Sequence, residues 1–412
     1  MRALRATRFD GRRCEHLLTC RSPARCPPSE GLAHDGSMRS VVIGGGHLGT
    51  AHALAAVRRG HEVVQLERES SARGATVRDS GLVRVSGCAS TDLEAALLAR
   101  QLWEEIGGRV PGIGFRPTGS LTVIRTDAEL AVAEAAAADA DARSRGLELL
   151  EPEAVRALTP ALRGKFLAGL HCSTDSVIEP RRALPALRAS LTATGRYTFH
   201  SGAEARAVTD TGSGARVLDD HGRVFDADLV LHCPGATHTG LTRELAGVLP
   251  LRRVRAQMMQ TAPLGEPLTT AVADGDSFRY HPGFAGPAVD ALIAEQSQTA
   301  VAAEHTMQLL CVQRLHGGLT IGRTHESAEP FPFDVDEAPY DHLTQVTEEL
   351  LGRKLPRVLR RWAYVRSHGT DPSTPVTRIR ASDNVWVVTG AGHLATTLGP
   401  LFGEDTADLL GL

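Results

Sequence analysis

No run of this sequence stays apolar for the about 20 residues needed to cross a bilayer, and its N-terminus lacks the apolar core of a secretory signal. No Cys-x-x-Cys pair occurs. The seven cysteines are odd in number and scattered, which argues against a disulfide framework and a structural zinc site. Neither sign of charge is in excess: 45 basic against 48 acidic residues leave a formal charge of -3, so neither nucleic acid nor an anionic membrane is an expected partner. An internal repeat is also missing. These absences predict a soluble, cytoplasmic protein without a metal, whose anion recognition is local.

At 412 residues the chain exceeds what one hydrophobic core usually serves, so two domains are expected. Residues 1–37 stand apart, with seven arginines, three of the cysteines, two adjacent prolines and no apolar period. They are expected to be a disordered extension or a stretch upstream of a natural start at Met38. The acids Asp10, Glu15, Glu30 and Asp35 count against a transit peptide.

From Met38 the order is a strand over 40–43, a glycine turn, a helix over about 48–59 and a strand over 62–66, which is βαβ grammar. Helical spacing follows at 92–106 and 127–145, separated by a strand at 119–125. A proline-started helix at 179–192 and a β run from 197 to 233 come next. The segments LRRVRAQMMQT, DSFRYHPGF and GGLTIGRTH read as extended and predict an antiparallel sheet over 251–322. A helix at 340–351 precedes one more strand, glycine-rich loop and helix.

The strongest motif is Gly44-Gly-Gly46-His47-Leu48-Gly49, a G-x-G-x-x-G between strand and helix. Its first glycine permits the tight turn, its second lets backbone amides approach a pyrophosphate, and its third lets the helix pack closely. The helix N-terminus adds partial positive charge. Glu67 ends the next strand, 18 residues after Gly49, where a carboxylate accepts hydrogen bonds from ribose hydroxyls. A second loop, Gly390-Ala-Gly392-His393-Leu394, also joins a strand to a helix. A nicotinamide enzyme has no need of it; a reduced flavin, negative near N1 and O2, does. Cys233-Pro-Gly235-Ala ends a further strand and is weak alone. The fold class is therefore mixed α/β and α+β: a discontinuous Rossmann-like FAD-binding domain from 38–115, 177–250 and 368–412, with an antiparallel-sheet substrate domain from 116–176 and 251–367.

These motifs, together with Glu67-Arg68, Gly74-Ala75-Thr76-Val-Arg78-Asp79-Ser80-Gly81 and the strand ADLVLHCPGA, resemble the D-amino-acid oxidase-like (DAO) superfamily of FAD-dependent oxidoreductases. Glycine oxidase and sarcosine oxidase belong to it. Within it the likeness is greatest to a clade of proposed aminophosphonate-catabolic oxidoreductases. GATVRDSG, SLTVIRTDAEL, AQMMQTAP, RYHPGF and LTIGRTHE stand where that clade carries GASVRNFG, a SLHLARTEEEL-like stretch, LQMLRTAP, RHYPAF and LTIGDSHE. The likeness spans about 40–410. It implies FAD held by Gly44, Gly46, His47, Leu48, Gly49, Glu67, Arg68, Ala75, Thr76, Gly235, Gly390, Gly392, His393 and Leu394. Three departures fall where the resemblance places flavin or substrate. Asp79-Ser80 replaces Asn-Phe, Arg323 replaces an acid, and Tyr280 and His281 are exchanged.

Strand alternation puts Arg253, Arg255 and Gln257 on one face, and Arg279 and His281 on another. Arginine forks suit a phosphonate or carboxylate. Arg255, Gln257, Arg279 and Arg366 are thus the candidate substrate ligands, against the plainer reading of solvated strand faces. His281 and His325 are the candidate catalytic groups, expected to titrate near neutrality and keep an amine unprotonated, against a structural hydrogen-bonding role. Cys172, Cys233 and Cys311 read as buried fillers. The expected reaction moves a hydride from the carbon next to nitrogen to flavin N5. Hydrolysis of the imine then gives an aldehyde or keto compound and an amine, and oxygen or another acceptor reoxidises the flavin. A 2-aminoethylphosphonate-like amine, N-alkylated or hydroxylated forms included, is the leading substrate. A glycine or sarcosine oxidase acting on an amino-carboxylate is the alternative. A flavin-binding protein disabled at Asp79, Ser80 and Arg323 is the alternative of another class, and an NAD(P)-dependent dehydrogenase is disfavoured by the second glycine loop.

Overall fold

The computed structural model describes residues 36–371 and 373–412; the expectation for the N-terminal extension lies, for residues 1–35, outside the described residues. Within the strand Arg39–Ile43, the run Val41-Val42-Ile43 is β-branched and buried on both sides. Val41 and Ile43 pack with Leu66, Ala215 and Val217, while Val42 packs with Ala53, Ala56 and Val57. Such a strand belongs inside a sheet covered on both faces. It sits fourth in a six-stranded sheet ordered Thr377–Ser382, Val385–Thr389, Leu229–His232, Arg39–Ile43, Glu62–Glu67 and Tyr197–Ser201. All neighbours in it are parallel except the first pair. The helix His47–Arg58 covers one face. The antiparallel meander Ala205–Asp210, Ala215–Asp219 and Val224–Ala227 covers the other. The last helix, Ala395–Leu410, packs on His47–Arg58 so closely that a Cβ on Gly403 would lie 2.5 Å from the Ala51 carbonyl oxygen.

The second sheet has eight strands, ordered Val358–Gly369, Leu251–Pro263, Gly318–Gly322, Leu310–Gln313, Ala271–Asp274, Ser120–Ile124, Ala168–Cys172 and Leu147–Leu150. It is antiparallel except where Ala271–Asp274 meets Ser120–Ile124. One face lies under the helix Ala338–Leu351, whose Tyr340, Leu343 and Val346 pack with Met259, Leu319 and Ile321. The opposite parity of Leu251–Pro263 faces the other way. Ala256 and Met258 pack with Tyr364, Trp362 and Ala75, bringing this sheet against the loop that follows Glu62–Glu67. Register assigns the partners: Val254 stands opposite Arg366, Ala256 opposite Tyr364 and Met258 opposite Trp362. Residues 38–412 form one compact unit.

Two expectations need correction. DSFRYHPGF is not extended: Gly275–Tyr280 and Pro282–Phe284 are 3-10 turns, followed by the helices Pro287–Glu295 and Ala300–Glu304. The Ser277 hydroxyl donates to the Asp274 carboxylate at 2.5 Å, closing the first turn locally before a strand can form. The helical stretch read over 127–145 divides into Asp127–Ala138 and Ala142–Arg145.

Candidate active site

Gly44, at φ 113°, turns the chain where a Cβ would collide with the Cys233 carbonyl, and a Cβ on Gly49 would collide with the Gly44 carbonyl. Gln65 Nε2 steadies that same carbonyl at 2.8 Å. The helix His47–Arg58 starts at Gly46 without a side-chain cap and without an acid in its first turn, so its N-terminal field is open to an anion. Glu67 accepts from the Gly45 N–H at 2.7 Å and from the Glu69 N–H at 3.0 Å. Arg188, which the sequence reading missed, donates to the Gly45 carbonyl and lies 4.0 Å over the Phe199 ring. Arg68 is exposed, its guanidinium 3.9 Å from Glu69.

A second N-terminus without cap or first-turn acid belongs to Ala395–Leu410, entered through Gly390 at φ 78° and the turn Gly392–Leu394. Thr389 donates to the Gly235 carbonyl at 2.8 Å, which joins the third turn to this loop. One short segment reaches both helix starts. Thr76 accepts from the His47 N–H at 3.0 Å, and Asp79 accepts from the Thr396 hydroxyl at 3.0 Å. Two open helix N-termini, glycines at positions where a Cβ collides, and a carboxylate at a strand end fit an adenine dinucleotide carrying a second anionic group.

Asp79 is the centre of a buried polar cluster. Its Oδ1 accepts from the Ser80 N–H (2.7 Å), Arg323 (2.7 Å) and the Tyr364 hydroxyl (3.2 Å). Burial works to raise its carboxyl, but Arg323, Arg366 and these hydrogen bonds outweigh it and hold the group at about 2. Arg366 donates Nε–H to His368 Nε2 at 2.9 Å and lies 3.5 Å from the Tyr364 hydroxyl. Among the described residues no carboxylate stands within ion-pair distance of it, and burial together with Arg323 lowers its guanidinium to about 10. Arg84 donates to His281, and His368 stacks on His393 with centroids 5.6 Å apart.

This cluster corrects the catalytic expectation. His281 and His325 do not titrate near neutrality: burial first, then Arg84 for His281 and Arg366 with Arg323 for His325, push both well below the usual imidazole value. Burial and Arg366 take His368 down to about 2, and the same causes lower His393, whose ring opens to water that screens part of the shift. These rings act as neutral hydrogen-bonding groups. His325 Nδ1 lies 3.0 Å from the Thr306 carbonyl, so Nδ1 carries the hydrogen and Nε2 the lone pair.

Of the proposed substrate ligands, the structure brings Arg366 into the cluster and keeps the others out. Arg255 and Gln257 have the parity that faces away from Tyr364 and Arg366. Arg255 is spent on Glu326 at 2.7 Å and on the Pro332 and Asp334 carbonyls, and Gln257 donates to Glu326 at 3.1 Å. Arg279 closes on Asp276 at 2.6 Å and on the Gln296 carbonyl, because a 3-10 turn aligns residues three apart. The reading did not assign site roles to Asp79, Arg84, Arg323, Tyr364, His368 or Thr396. Its one usable signal was the pair of opposite-charge departures, Asp79 and Arg323, which meet as an ion pair.

Cys88, Cys172, Cys233 and Cys311 are buried and unpaired, and burial pushes the thiols of Cys88, Cys233 and Cys311 up to about 12. A cavity of about 270 Å³ lined by Arg116, Thr118, Gln313 and Arg314 lies elsewhere. Arg314 stands between it and the cluster, donating to the Ser80 and Ile178 carbonyls. Among the described residues no group of His, Cys, Asp and Glu could hold a metal ion, and no helix is long and apolar enough to cross a membrane.

A parallel sheet with two glycine loops at open helix starts, facing an antiparallel sheet across a buried polar cluster, defines an oxidoreductase that holds a dinucleotide. Residues 39–409 match the DAO family, FAD dependent oxidoreductase, and the chain belongs to that family. FAD is its cofactor. Similar solved structures include glycine oxidase from Geobacillus kaustophilus, at 18% identity over 91% of this chain and 95% of that chain, TM-score 0.71. L-proline dehydrogenase from P. horikoshii follows at 19%, 91% and 93%, TM-score 0.72. Iminodiacetate oxidase from Chelativorans sp. BNC1 stands at 18%, 90% and 95%, TM-score 0.71. At such identities the likeness is one of fold. No curated protein matches in sequence.

Proposed function

We propose that this protein oxidises the C–N bond of a small amine that also carries an anionic group, an aminophosphonate of the 2-aminoethylphosphonate type, giving an aldehyde and ammonia or a smaller amine. The observation that carries this reading is Arg366, a buried guanidinium with no carboxylate partner among the described residues, set beside hydrogen-bonding groups. An unmatched buried cation rewards an anion, and its fork gives two parallel bonds to phosphonate or carboxylate oxygens. Oxidation at nitrogen is supported by the names of the structural relatives, glycine oxidase, L-proline dehydrogenase and iminodiacetate oxidase.

Bound FAD supplies the acceptor for two electrons and a hydrogen from the substrate carbon. The chain binds and orients. We assign the FAD grip to Gly44, Gly46, Gly49, Glu67 and Thr76 at one end and to Gly235, Gly390, Gly392 and His393 at the other. Arg366 takes the anion, and Nε2 of the neutral His325 ring accepts a hydrogen bond from the amine, whereas the lone pair of His281 is already taken by Arg84. Residues 38–115, 177–250 and 368–412 form the cofactor part in this reading, and 116–176 with 251–367 cover the substrate. Unpaired buried thiols suit a reducing compartment, so we extend the proposal to the cytoplasm.

An amino-carboxylate is the second reading, favoured because one uncompensated guanidinium suffices for a carboxylate. The impaired-protein reading loses its motive, since Asp79 and Arg323 neutralise each other. The test is anaerobic mixing of the holoenzyme with 2-aminoethylphosphonate, its N-methyl form, β-alanine, glycine, sarcosine and an uncharged amine while the visible flavin band is followed. The phosphonates should bleach it fastest. Faster bleaching by β-alanine, glycine or sarcosine selects the carboxylate reading, and no bleaching by any amine sinks both.

A further inference from the structure

Asp79 holds its four main donors unevenly. Three converge on Oδ1, from Ser80, Arg323 and Tyr364, whereas Oδ2 receives the Thr396 hydroxyl alone. A carboxylate oxygen offers about two acceptor positions, so Oδ2 keeps one open. The Asp79 side chain remains 15% exposed and Arg323 11%, although Tyr364 beside them is buried. The charges also divide. Arg323 pairs with Asp79 at contact, whereas Arg366, which feels Asp79 only at longer range and reaches the same Tyr364 hydroxyl, has no carboxylate within ion-pair distance among the described residues.

We infer that Asp79 is a specificity-determining residue whose Oδ2 accepts an N–H of the substrate amine, while Arg366 takes the anionic group, so that the site reads both ends of a zwitterion. Arg323 is the positioning residue: it occupies Oδ1 and leaves Oδ2 for the ligand. This rests on the proposed oxidation of an anionic amine. It adds a recognition element for the amine that selects against anions lacking nitrogen.

The test uses two ligands that cannot be oxidised at the relevant carbon. 2-Amino-2-methylpropylphosphonate has no hydrogen on the carbon bearing nitrogen, and 2,2-dimethylpropylphosphonate replaces its amino group by methyl. Dissociation constants are read from perturbation of the flavin spectrum in holoenzyme, for the native protein, Asp79→Asn and Asp79→Asn/Arg323→Gln. The native protein should prefer the amino ligand, and both variants should lose about 10- to 100-fold of that preference. Asp79→Asn, which releases Arg323, should also bind the methyl ligand more tightly than the double variant does. A purely structural role for Asp79 would weaken both ligands together. Unchanged preference in FAD-loaded variants overturns the inference. Should the single change cost FAD, the double change, which strands no buried charge, carries the comparison. The same measurements with 2-aminoisobutyrate and pivalate separate the two claims. Asp79-dependent preference in the carboxylate pair alone upholds the inference and removes the phosphonate. Binding of neither pair removes both.

Discussion

Arginines stand on both faces of the paired strands Leu251–Pro263 and Val358–Gly369, and the two faces use them differently. On the face towards Glu326, Arg255 pairs with Glu326 and Arg253 with Glu329, and backbone carbonyls take the remaining N–H groups of Arg255. On the face towards Asp79, Arg366 has hydrogen-bonding neighbours but no carboxylate among the described residues. A cation matched at contact by a carboxylate from the segment beside it is scaffold. One left unmatched in a cleft is a place for a ligand, because the cost of burying it is recovered only when an anion arrives.

Exchanging the two arginines for a neutral side chain should therefore give opposite phenotypes. Arg366→Met is expected to lower kcat/KM for the anionic amine by about 100- to 1000-fold while FAD content stays near native, as when one partner of a buried charge pair is truncated. Steady-state rates on matched charged and uncharged amines check this, and an equal loss on both would break the distinction. Arg255→Met is expected to cost about 3 kcal/mol of unfolding stability by stranding Glu326, which is largely buried, while KM stays within about threefold. Denaturant titration and the same kinetics measure it. Arg366→Lys should fall between, losing about 10-fold because the charge remains and the fork does not.

The smallest expected effect is on pH. His368 lies on the Arg366 side with its imidazole lowered from 6.5 to about 2, by burial and then by Arg366. A depressed imidazole contributes stability that is complete above the unfolded value of 6.5 and is lost as pH falls towards about 2. The slope is at most about 1.4 kcal/mol per pH unit, and smaller for a ring that water still reaches. Unfolding followed from pH 7 down to pH 3 should show the decline, and Arg366→Met, which lets the folded imidazole rise, should end it at a higher pH. An identical decline in the variant would show that Arg366 does not set the field.

The cofactor end was open to sequence reading because its chemistry is local. Gly44, Gly49 and Glu67 are set by a strand, a turn and a helix within one short stretch, and the same holds for Gly390 and Gly392. At the substrate end the alternation of Arg253, Arg255 and Gln257 was readable, but not which parity meets the cleft. That depends on Tyr340 and Leu343, far along the chain, covering the Met259 side. Arg279 was misread for another reason: a local Asp274–Ser277 hydrogen bond overrode an extended-looking composition. Asp79 and Arg323 were visible as departures, yet a pairing between residues so distant in sequence needed the fold.

The central strand Arg39–Ile43 has parallel neighbours drawn from Glu62–Glu67 and Leu229–His232, and Val385–Thr389 joins beyond the latter only when most of the chain is made. Gly403, in the last helix, closes against Ala51 in the first. During synthesis, the helix His47–Arg58 waits for Ala395–Leu410 before the side it turns away from the sheet is covered. Pairings this remote in sequence slow folding and prolong exposure of sticky surface. Release of a competent flavoprotein is thus tied to emergence of the final helix from the ribosome, and a nascent chain halted before Val385 should be a client for chaperones rather than a receptor for FAD.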